Sequence, residues 1–156
     1  ARLERARLFE QKRTQFLQSE KGVSAARTEY KALISELGQQ ILECKEAASS
    51  VSLQLRKVND LHVVTGLLHR IDICWECHYT NSLDHAELRV DLWEGYSPGR
   101  GFASLVEPSK MEAWTFRFDL LQTEQACWVQ NEGEGRSFST PELASFILKS
   151  YMDNQG

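Results

Sequence analysis

The chain has 156 residues, 42% hydrophobic and 26% charged, with a formal net charge of -4 at pH 7. That length holds one ordinary domain or a small domain with an extended element, and the composition is that of a globular protein. The acidic balance argues against a nucleic-acid platform, which usually shows a basic face, while leaving room for local basic patches.

No apolar run approaches the ~20 residues that a membrane-spanning helix needs. Arg2, Arg5 and Arg7 interrupt the start, so no signal-peptide pattern is read there. The chain opens on Ala1 without an initiator methionine, and we expect a piece of something longer. Cys44, Cys74, Cys77 and Cys127 are too few and too scattered for a secreted disulfide framework. They read as reduced thiols in the nucleus or cytoplasm.

From Arg2 to about Asp60 there is no proline, and the apolar residues climb a seven-residue ladder. One row is Phe9, Phe16, Val23, Tyr30, Leu37, Cys44, Val51 and Val58. The other is Ala6, Arg13, Glu20, Arg27, Ile34, Ile41, Ala48 and Leu55. Steps of four and three keep one seam against a partner helix. Residues 1–62 therefore read as a coiled coil. A helix of ~55 residues would run roughly 80 Å at 1.5 Å per residue, too long to bury its stripe on one small domain. The expected oligomerisation seam is Tyr30, Ile34, Leu37, Ile41, Cys44, Ala48, Val51, Leu55 and Val58. The alternative is two shorter helices that break at Ser19-Glu20-Lys21-Gly22, where glycine weakens the helix by about 1 kcal/mol relative to alanine.

Arg13, Glu20 and Arg27 interrupt the seam in its first half. In a parallel homodimer each would face its own copy, and the flanking positions offer few opposite charges. They read as partner-specificity residues, favouring a different helix with carboxylates opposite the arginines. The plain alternative is a frayed, solvated end.

Residues 63–156 read as a small α+β domain. Thr65-Gly66 suits a helix C-cap. Leu67 to Thr80 alternates as a half-buried strand, with Ile71, Ile73, Trp75, Cys77 and Tyr79 on one side. Asn81 to His85 reads as a turn and Ala86 to Glu94 as a second strand. Gly95 to Gly101 reads as a loop and Phe102 to Val106 as a short strand. Glu112 to Leu120 and Ala126 to Gln130 complete the strands. Thr140 as N-cap and Pro141 at the first helical position open a final helix. Its apolar side is Leu143, Phe146, Ile147 and Tyr151.

Cys74-Trp75-Glu76-Cys77-His78 has the letters of a c-type haem attachment site. Strand alternation sends Cys74 and Cys77 to opposite faces, which disfavours haem; zinc lacks a second C-x-x-C cluster, and a thioredoxin-like dithiol would open a helix, whereas this motif sits in a strand. His62, His69, His78 and His85 lack a helical metal spacing. No nucleophile elbow or phosphate loop is present. We expect no catalytic residue, no metal and no cofactor; a metal or redox protein using Cys74, Cys77 and His78 is the remaining enzymatic alternative.

Val63-Val64-Thr65-Gly66-Leu67-Leu68, running into Ile71-Asp72-Ile73, resembles the junction of coil and first strand in the RWD-type domains of kinetochore coiled-coil proteins. The order of coil, antiparallel strands and one C-terminal helix is similar as well. The resemblance implies a non-enzymatic scaffold of chromosome segregation. Such a scaffold dimerises through its coil and docks partner proteins on its sheet or helix. The other class is a coiled-coil adaptor in vesicle tethering, cilia or signalling.

Overall fold

The computed structural model describes residues 1–48, 51–94 and 109–153. Helices α1 (Arg2–Leu17) and α2 (Glu20–Ala47) open the chain. Among the described residues seven strands follow: β1 (Gln54–Val58), β2 (Leu61–Thr65), β3 (His69–Glu76), β4 (Glu87–Glu94), β5 (Ser109–Leu120), β6 (Ala126–Gln130) and β7 (Ser137–Phe138). Helix α3 (Thr140–Asp153) closes the fold. The sheet is an antiparallel meander in sequence order, so each strand pairs with its chain neighbours. The α+β class is as expected.

The single helix expected over residues 1–62 is instead two helices and a β-hairpin. The break falls at Ser19, which caps α2: its Oγ accepts the Gly22 N–H at 3.1 Å and donates to the Phe16 carbonyl at 2.7 Å. Gly22 is required at this corner, because a Cβ there would collide with the Phe16 carbonyl oxygen. Helix α2 ends at Ala47, and Ala48 is already extended. From Val51 to Arg56, apolar residues alternate with polar ones, the period of a strand.

Alternation also builds the core. Ile73, Val90 and Trp114 stand in one cross-strand row, and Phe118, Trp128 and Phe138 in another. On that face the sheet joins Leu33, Leu37 and Ile41 of α2 and Leu143, Ile147 and Tyr151 of α3 in one buried cluster. Burying each such side chain contributes roughly 1.5–3 kcal/mol.

The Thr65-Gly66 pair is not a helix cap. Thr65 ends β2, and Gly66 opens the β2–β3 turn, donating its N–H to the His69 carbonyl at 3.1 Å. A Cβ on Gly66 would collide with the Tyr151 hydroxyl of α3. The N-cap of α3 is Ser139 rather than Thr140. Its Oγ accepts the Glu142 N–H, and Glu142 reaches back to the Ser139 N–H at 2.9 Å, a capping box. The loop at Gly95 to Gly101 and the short strand at Phe102 to Val106 lie outside the described residues.

Candidate interaction surface

Helix α1 stands on the end of the sheet near the β5–β6 turn, fixed at four points. Leu83 donates its N–H to the Leu17 carbonyl at 2.8 Å. The Phe16 ring meets Phe118 at 6.3 Å between centroids. Arg13 grips Asp119 with two hydrogen bonds, Nε to Oδ1 at 2.6 Å and Nη2 to Oδ2 at 2.9 Å. Lys12 Nζ lies 2.7 Å from Glu124 Oε1 on the exposed rim. Burial pushes the Asp119 carboxyl up, but hydrogen bonds from Arg13 and from the Leu120 N–H outweigh it and leave the group below its usual value. Arg13 is correspondingly held above its own.

Beyond these anchors α1 is uncovered. None of its residues is buried, and Leu3 is 89% exposed. Leu8 is exposed as well. Arg2, Leu3, Arg5, Ala6, Phe9 and Glu10 of α1 line an open groove of ≈ 580 Å³ together with Gln122. Five cations (Arg2, Arg5, Arg7, Lys12 and Arg13) outnumber two anions (Glu4 and Glu10) along the helix, against the acidic balance of the whole chain.

The residues expected to form an exposed seam lie elsewhere. Leu37 and Ile41 are buried within the chain's own core, and Tyr30 and Ile34 are half-buried against it. Tyr30 Oη lies 2.8 Å from His62 Nδ1 and donates to the Ile73 carbonyl at 3.3 Å. Cys44 is half-exposed and Ala48 exposed at the end of α2. Val51 precedes β1, while Leu55 and Val58 lie within it, so these three form no helical stripe. Of the specificity residues, Arg13 finds its carboxylate in Asp119 of the same chain. Glu20 sits exposed in the first turn of α2, and Arg27 is exposed on its outer face.

The cysteine motif divides as alternation implies. Cys74 sits in β3 opposite Arg89, on the face away from the helices. Cys77 lies past the strand end, packs against the core and points its thiol at the Tyr79 carbonyl, 3.3 Å away. All four cysteines are free thiols. Among the described residues, no group of three or more His, Cys, Asp or Glu is arranged to hold a metal ion, and no helix is long and apolar enough to cross a membrane.

Two further features escaped sequence reasoning. Leu67 and Leu68 form an exposed apolar tip on the β2–β3 turn. On the helix-free face, Trp93 lies between Arg70 (5.4 Å) and Lys110 (5.0 Å). Arg70 pairs with Asp72 and Lys110 with Asp91, so that cluster neutralises itself. No protein-family model matches the chain, and no curated protein or solved structure matches it significantly.

Proposed function

We propose that the chain is a non-enzymatic scaffold module that assembles with a different helical partner through α1 and docks further proteins on its α+β body. We place it in the class of kinetochore and chromosome-segregation scaffolds. The observation that carries this reading is α1 itself, anchored at its base and bare along its outer turns. Isolated helices of this length are marginal in water, so Leu3 and Leu8 call for a cover. A partner helix with carboxylates along its contact face suits Arg2, Arg5 and Arg7. A second basic α1 suits them poorly, which favours a heteromer over self-pairing.

Co-expression of the chain with candidate partners, followed by sizing chromatography, tests the assembly. Wild type should co-elute with an acidic helical partner, and Leu3→Asp with Leu8→Asp should release it without lowering the melting temperature. Centromere localisation of the tagged protein in mitosis would support the chromosome-segregation class. Steady residence on vesicles or cilia would instead favour the adaptor class, which can use the same arm.

A further inference from the structure

Strand β1 is the first strand of the sheet, and among the described residues no strand pairs with its outer side. The phase of its backbone follows from the register. Val58 and Leu61 flank the two-residue turn Asn59-Asp60 and close the hairpin as a hydrogen-bonded pair. Antiparallel pairs alternate, so Arg56↔Val63 and Gln54↔Thr65 are hydrogen-bonded, while Leu55↔Val64 and Lys57↔His62 are not. The next turn gives the same phase, because Gly66 donates to His69 and thereby points Leu61, Val63 and Thr65 toward β1. The N–H and C=O groups of Leu55 and Lys57 therefore face outward. They offer four main-chain hydrogen bonds along about 7 Å of edge.

The side chains around this edge have a clear chemistry. Arg56 and Lys57 are exposed, on opposite faces of the strand, and among the described residues neither is in an ion pair. Leu55 is half-buried beneath α2, where a Cβ on Gly38 would touch its Cδ2 at 3.7 Å. Leu42, one turn beyond Gly38 on the same side of the helix, is 55% exposed. The edge thus joins open hydrogen-bonding groups, an apolar shelf and two unmatched positive charges.

We infer that β1 receives an extended acidic segment of a partner protein as an eighth strand. An apolar residue of that segment would lie opposite Leu55, and two successive carboxylates opposite Arg56 and Lys57. Strand addition takes its affinity from the main chain and its specificity from alternate side chains. A second copy of this chain is disfavoured as occupant, because antiparallel self-pairing would crowd the four cations together. An edge lysine that served only to deter aggregation would give the strand no preference between acidic and basic peptides. The site is separate from α1 and does not depend on the role of that arm.

The test uses fluorescein-labelled Val-Thr-Val-Glu-Glu-Val-Thr-Val, with a Lys-Lys version as control, titrated with the intact chain by fluorescence anisotropy. The acidic peptide should bind at least tenfold more tightly than the basic one. Lys57→Pro removes an outward N–H that the β1–β2 ladder does not use, and should weaken binding at least tenfold with an unchanged thermal melt. Arg56→Glu with Lys57→Glu should invert the preference, and it carries the test if the proline variant melts lower. Equal binding of the two peptides, or no binding up to about 1 mM, would overturn the inference. So would full binding by a well-folded Lys57→Pro, or a wild-type dimer in sedimentation velocity that the same variant converts to monomer.

Discussion

Arg13 of α1 and Asp119 of β5, 106 residues apart, form a two-pronged ion pair in which the Asp119 side chain is 7% exposed. Removing Arg13 leaves Asp119 with the Leu120 N–H and a longer contact to Arg117 at 3.3 Å. Arg13→Ala should therefore cost about 1.5–3 kcal/mol in urea denaturation, the range for a hydrogen bond to a charged group. Asp119→Ala should cost a similar amount. In a double-mutant cycle the two losses should fall well short of additive.

The same pair makes α1 acid-labile. The carboxyl of Asp119 is held below its unfolded value of about 3.9. A depressed acid contributes stability that is complete above the unfolded pKa and is lost as pH falls through the folded one. Protection factors of the α1 amides, referred to the intrinsic exchange rate at each pH, should be highest near neutral pH and fall below about pH 4, before the sheet loses protection. Asp119→Asn should remove most of that pH dependence.

Aspartate at Ile34 and Ile41 should unfold the chain rather than dissociate an assembly. Ile41 is buried against the sheet and Ile34 is partly covered. A carboxylate at position 41 should cost at least as much as the ~2–5 kcal/mol of an Ile→Ala change. Thermal melts read this directly. An unchanged melt with a lower mass in light scattering would return the seam to the helix surface.

Gly66→Ala should destabilise by about 1–3 kcal/mol, the usual cost of overpacking, because its methyl group meets both the Tyr151 hydroxyl and, at 3.2 Å, the Ser52 carbonyl. Gly38→Ala is the control, since its methyl finds only Leu55 at van der Waals distance and adds helix propensity. It should leave the melt unchanged or raise it.

The strands were the most legible part of the sequence. Ile71-Asp72-Ile73 and Trp114-Thr115-Phe116 alternate strictly, and β6 runs over the residues expected. The single helix expected over residues 1–62 fails for a definite reason. Over a few turns a 3.5-residue and a 3.6-residue repeat hardly differ, so a stripe facing the chain's own sheet looked like a seam for another helix. Ala26 and Leu33, which stand on neither row of the ladder, are fully buried. Val51, Leu55 and Val58 prolonged the ladder by coincidence, masking the alternation that Val51, Leu53 and Leu55 keep with Ser52, Gln54 and Arg56. The Arg13 partner was out of reach, because nothing local links it to a carboxylate so distant in sequence. The exposed tip at Leu67-Leu68 was hidden inside a strand assignment that began two residues too early. Ser137-Phe138 is too short to carry a period at all.

The role of α1 is tested most directly by photo-cross-linking in cells. A photoreactive phenylalanine analogue would replace Leu8 in the tagged chain, with a second variant carrying it at exposed Glu134 on the β6–β7 turn. Peptides joined to position 8 should come from an acidic helix of one other protein and should be absent at position 134. Equal background at both positions, or peptides only from a second copy of this chain, would contradict assembly through α1 with a different partner.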